Sequence, residues 1–247
     1  MIQDLSYLEL LIIIGAFVFG GLCKGISSVG VPIIAVPVIA SVTDITLAII
    51  LIAIPSVVPN FYQVWKYKES WTRPFSLVAL CLASVVGSGI GVLVLLKVDP
   101  GMLSKILGLI VIGYIAIRRW QPLILSNQKA RLLAAPMGFF AGLAGGTTGV
   151  SAPVIMIYMS AINLVRESFI FGISVYFIAM GGGQFIWLSL ANLMTWELAF
   201  ASSLTLIPLA LGMILGQKIG AHVSQTQFEK VIQSILAVLG FKLLLNM

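Results

Sequence analysis

The chain is predicted to be an all-α integral membrane protein, an inverted repeat of two five-segment halves that each begin with a short broken or re-entrant helical hairpin. Three observations predict it. Of the 247 residues, 60% are hydrophobic and only 9% are charged, against roughly 25% charged in soluble domains. Apolar runs recur along the whole chain with short polar gaps between them. Finally, two glycine-rich stretches, GGLCKGISSVGVP over 20–32 and AGLAGGTTGVSAP over 141–153, align without a gap: Gly21 on Gly142, Leu22 on Leu143, Gly25 on Gly146, Pro32 on Pro153. Paired interruptions at corresponding places in two halves point to the binding site of a membrane carrier.

The apolar runs lie near 8–22, 29–41, 45–65, 74–96 and 102–117, then near 132–145, 150–162, 168–191, 196–216 and 229–245. Crossing the hydrocarbon core takes about 20 helical residues at 1.5 Å each, and runs 45–65, 74–96, 168–191 and 196–216 are long enough. Runs 29–41, 132–145 and 150–162 would reach only about 20 Å. The first two runs of each half therefore read as a hairpin that dips into the membrane and returns to its starting side. Two short, tilted full spans would place the loops identically, so both arrangements stay open. Runs 102–117 and 229–245 lack a glycine break and read as tilted spans in a thin region. The halves then cover 1–117 and 132–247, with a cytoplasmic linker at 118–131.

Loop charges give the sidedness, because short cytoplasmic loops carry excess Lys and Arg. Lys66, Lys68 and Arg73 mark one such loop, Arg118, Arg119, Lys129 and Arg131 the central one, and Lys218 and Lys230 with His222 a third. The acidic N-terminus and the loop from Asn192 to Glu197 contain no base and are expected outside, with Lys97 and Lys105 beside Asp99 as a mild exception. An odd number of segments per half makes the second copy upside down relative to the first. The N-terminus carries acids where a cleavable signal has bases, so the first run is expected to stay in the mature protein. The net charge of +6 is spread over these gaps rather than gathered in one stripe, so no nucleic-acid partner is expected.

An unwound backbone at membrane depth survives only where protein or a water-filled cavity satisfies its polar groups. Each break is followed by helix-start signals: Ser27 and Ser28 before Gly30 and Pro32, and Thr147, Thr148, Gly149 and Ser151 before Pro153. Hydroxyls at the cap and proline in the first turn are expected to open a helix there. Its free N–H groups and positive dipole end would face the break, a site suited to a small anion. Lys24 strengthens the argument, since an ammonium inside an apolar segment faces a polar cavity or snorkels to an interface. Gly145 takes its place in the second copy, so the site is expected to be asymmetric.

The candidate substrate-binding residues are Cys23, Lys24, Gly25, Ser27, Ser28, Gly30, Gly145, Gly146, Thr147, Thr148, Gly149, Ser151, Gln63 and Gln184. Gln63 falls opposite Gln184 at the same offset as the glycine stretches. Asn60 and Tyr176 are further polar groups within long runs, open to a pathway role or to helix–helix bonding. Gly87-xxx-Gly91 and Gly212-xxx-Gly216 read as close-packing patterns. Asp44 and Glu167 follow the two hairpins as negative groups at the next helix starts. The tryptophans Trp65, Trp71, Trp120, Trp187 and Trp196 lie near segment ends, as in an aromatic belt. Two cysteines without CxxC spacing and a single histidine suggest neither a disulfide framework nor a metal site.

At Gly21, Gly25, Gly30 and Pro32, and again at Gly142, Gly145, Gly146, Gly149 and Pro153, the sequence resembles the sulfite exporter TauE/SafE family of membrane transport proteins. Overall length and the two-half layout extend the resemblance over nearly the whole chain, although Lys24-Gly25-Ile26-Ser27-Ser28 replaces the family's usual glycine cluster in the first copy. The resemblance implies a carrier of sulfite, sulfonates or related oxyanions in the bacterial cytoplasmic membrane, often directed outward. The residues themselves predict a secondary transporter of a small anion working by alternating access around the two broken motifs. A small-anion channel of the same architecture is the alternative. No enzymatic activity, cofactor or metal is expected. The expected partners are a small anionic substrate and membrane lipid, with association into a homo-oligomer left open.

Overall fold

The computed structural model describes residues 5–27, 30–71, 75–118, 124–220 and 225–245. Expectations resting on Ser28, Arg73, Arg119, Trp120 and His222 fall outside these residues. The described residues form helices joined by short turns and loops, with α1 (Tyr7–Ser27), α2 (Val31–Ala40), α3 (Ile45–Ile52), α4 (Val58–Tyr67), α5 (Leu77–Lys97) and α6 (Pro100–Arg118) in the first half. The second half holds α7 (Asn127–Thr148), α8 (Ala152–Ala161), α9 (Arg166–Leu190), α10 (Trp196–Leu204), α11 (Leu206–Gly220) and α12 (Gln225–Leu245). Among the described residues, five stretches are long and apolar enough to cross a membrane: Tyr7–Ser27, Leu77–Lys97, Pro100–Ile117, Arg166–Leu190 and Trp196–Gly220.

Two expectations are corrected here. The run at 132–145 belongs to a helix of 22 residues, about 33 Å long at 1.5 Å per residue. Its polar first turn, capped by the Ser126 hydroxyl accepting from the Lys129 N–H at 3.4 Å, begins inside the stretch assigned to the linker. The first leg of each pair is thus long, and only α2 and α8, with 10 residues each, are short. The run at 45–65 is not one rod but two helices, α3 and α4. Pro55 has no N–H to give the Leu51 carbonyl and its ring crowds that oxygen. The Ser202 hydroxyl of α10 donates to Leu51 O at 2.9 Å instead and accepts from the Ile54 N–H at 3.3 Å. The run at 196–216 holds α10 and α11, divided at Thr205 where Pro208 has no N–H for the Leu204 carbonyl, yet Trp196–Gly220 as a whole is long and apolar enough to cross a membrane, as expected.

Asp44 does cap α3, its carboxylate accepting from the Leu47 N–H at 2.9 Å, and Glu167 lies in the first turn of α9. The most enclosed elements are α2 and α3. Every residue of α2 except Val38 and every residue of α3 except Thr46 is buried, as expected for helices that are apolar all round. The longer helices surround them. In the second pair, the Leu125 N–H donates to the Ala161 carbonyl at 2.7 Å and the Tyr158 hydroxyl to the Ala130 carbonyl at 2.6 Å. The end of α8 therefore lies beside the start of α7.

The long helices are clasped crosswise between the halves. Along α5 and α7, a Cβ at Gly87 or Gly91 would strike the Phe139 or Leu143 carbonyl, and one at Gly142 or Gly146 the Ser84 or Ser88 carbonyl. Along α1 and α11 the same four contacts recur: Gly212 and Gly216 on Val18 and Leu22, Gly21 and Gly25 on Leu209 and Met213. Glycine permits this backbone-to-backbone approach. The close-packing reading of Gly87-xxx-Gly91 and Gly212-xxx-Gly216 matches what these residues do.

Candidate anion site at the first helix break

Lys24 sits in the last turn of α1, where a cation complements the negative end of the helix dipole. It is only 5% exposed. Its ammonium donates to Asn60 Oδ1 at 2.8 Å and to Gln63 Oε1 at 3.2 Å. Both acceptors stand on α4, where spacing of three residues brings side chains to one face. The Asn60 amide is oriented by donating to the Ser56 carbonyl. Gln63 Oε1 also accepts from the Ser174 hydroxyl of α9 at 2.9 Å. The lysine thus ties α1 to α4, and through Gln63 to the second half. Among the described residues, its hydrogen-bond partners are neutral amides, with no carboxylate paired to it.

A cavity opens beside this ammonium, lined by Lys24, Gly30, Val31, Pro32, Pro55, Ser56, Asn60 and Phe177. It has room for roughly one water molecule. Helix α2 starts at its wall. Gly30, at φ 126°, occupies the N-cap in a conformation that side chains disfavour, and no side chain bonds into the first turn. Pro32 lies in that first turn, as its fixed φ favours. The cavity therefore lies between the breaks at Gly30 and Pro55, with a buried cation and a positive helix end on its surface.

The candidate residues divide into two groups. Lys24 and Gly30 line this cavity, Gln63 reaches it only through its bond to the Lys24 ammonium, and Cys23 is buried against Gly30. Gly25 faces α11, while the Ser27 hydroxyl donates back to the Cys23 carbonyl at 2.7 Å. The second group surrounds the break between α7 and α8. Gln184 Nε2 donates to the Gly145 carbonyl at 2.9 Å, Gly146 faces Ser88, and the Thr147 hydroxyl donates to the Gly91 carbonyl at 3.4 Å. Gly149 ends α7 in the left-handed conformation, φ 76°, and Ser151 precedes α8 with no side-chain cap bond. None of this second group lines the cavity at the first break.

The expected capping hydroxyls act differently. Ser27 and Thr148 donate to carbonyls four residues earlier, Thr148 to Ala144 at 2.8 Å. They thereby satisfy the preceding helix, and the Thr148 hydroxyl also accepts from the Val150 N–H at 3.4 Å within the break, short of the first turn of α8. Ser56, Ser174, Pro55 and Phe177 complete the site without having been singled out from the sequence. The proline within an apolar run is the one signal that pointed to Pro55.

The sequence model described as Sulfite exporter TauE/SafE matches residues 12–243. The chain belongs to this family. As a TauE/SafE protein it is a multi-pass membrane transport protein, and the family character is transport rather than catalysis. Comparison with curated proteins and with solved structures gives no match.

Proposed function

We propose that this TauE/SafE protein is a secondary transporter that exports a sulfur oxyanion or organosulfonate such as sulfite across the bacterial cytoplasmic membrane. The anion is held at the first helix break. The observation that carries the reading is Lys24: a buried ammonium on two amide oxygens, beside the uncapped start of α2. A buried charge is costly unless paired, and neutral acceptors leave that pairing to a ligand. An anion entering here would replace the amide oxygens on the ammonium and receive the positive end of the α2 dipole.

The two halves, 1–117 and 132–247, are read as inverted copies that together enclose this site, which opens to either side of the membrane in turn. Supporting this are the fourfold recurrence of the glycine contacts and the matching reach of Gln63 to Lys24 and of Gln184 to Gly145. The re-entrant arrangement of the second pair is supported by the bonds that bring the end of α8 beside the start of α7. The cavity is too small for an oxyanion until the lysine and its amides separate, which favours a carrier with an occluded state over an open channel.

The test is efflux or uptake of labelled sulfite by proteoliposomes containing the parent chain or Lys24→Gln. Loss of at least tenfold in rate is expected for the variant. Equal rates would remove Lys24 from the site.

A further inference from the structure

We propose that the chain binds a single anion, at the first break, and that the second break is a blanked copy of the same site. The inference rests on the reading of Lys24 given above. Aligning the halves by their glycine stretches places Gly145 opposite Lys24 and, at the same offset, Gly181 opposite Asn60, while Gln184 stands opposite Gln63. The cation and its nearer amide ligand are therefore missing together. The glutamine persists.

The packing of the second break shows what became of the space. A Cβ at Gly145 would overlap the terminal methyl of Met180 and press on the Ser151 side chain. Met180 is itself buried. An unbranched thioether side chain is well suited to fill an irregular gap of this kind. Gln184 turns its N–H to the Gly145 carbonyl, whereas Gln63 turns its oxygen to the ammonium. The surviving amide is thus bonded to backbone where its counterpart serves a charge. The buried Tyr176 hydroxyl, which faces the Ser151 side chain at this break, is a neutral group and no substitute for the Lys24 ammonium. One half carries the electrostatic work, and the other keeps the scaffold.

Equilibrium dialysis of the detergent-solubilised full chain against labelled sulfite tests this by stoichiometry. One sulfite per chain is expected, falling more than tenfold in affinity in Lys24→Gln and in Gln63→Glu, and unchanged in number in Met180→Ala and Tyr176→Phe. Two sulfites per chain would overturn the inference while leaving the transport reading intact. So would a single site that survives both first-half variants and is lost in Tyr176→Phe. Absence of binding by the parent chain would instead sink the transport reading, and this inference with it.

Discussion

Lys24 is unusual less for being buried than for the company it keeps. Its partners are amide oxygens, which stabilise an ammonium by dipole but do not neutralise it, so the charge remains available to an incoming anion. Gln63→Glu puts a carboxylate of the same size in reach of both Lys24 and Ser174. We expect an internal ion pair that competes with substrate: sulfite affinity falls more than tenfold by isothermal titration, while the melting temperature in detergent does not fall. Binding as tight as the parent would show that the ammonium does not serve the anion. Lys24 was legible in the sequence because a base within an apolar run demands an explanation, and Gln63 because it repeats in the second half. Ser56, Ser174 and Phe177 were not, since a serine or phenylalanine in a membrane helix is ordinary until distant segments are folded against each other.

Helices were legible from apolar runs, but their interruptions were read only where glycine clustered. The α3–α4 break comes at Pro55, with Pro59 in the first turn of α4, in a run read as one segment. Its repair lies far away in sequence, in Ser202 of α10, whose hydroxyl bonds both Leu51 O and Ile54 N. Ser202→Ala leaves two backbone groups unsatisfied away from water. The expected cost is about 1–3 kcal/mol, read as a lowered midpoint in chemical or thermal unfolding in detergent, with Ser202→Thr retaining part of the loss. A midpoint equal to the parent's would mean that the break is satisfied in some other way. The hydroxyls at the glycine breaks were misread for a related reason: a carbonyl freed at the end of a helix competes for the same side chain, and Ser27 and Thr148 took the nearer partner.

The loop charges predict how the whole chain sits in the membrane, which a two-sided labelling experiment can check. In a Cys23→Ser, Cys81→Ser background, a cysteine replacing Glu69 should react with a membrane-impermeant maleimide only from the cytoplasmic side, and one replacing Asn192 only from the outside. The same side for both would undo the proposed topology. The glycine stretches suggested a division into halves, but the packing of α1 on α11 and of α5 on α7 was not legible, because contacts between distant segments leave no mark on spacing within either one. That join has a mechanical consequence. With α1 fastened to α11 and α5 to α7, each long pair mixes one helix from either copy, so the two copies cannot swing apart as gate leaves without tearing backbone from backbone. On the transport reading proposed above, the bodies that shift would be these hybrid pairs, α1 with α11 and α5 with α7, gripping the short enclosed helices like two forearms on a common handle.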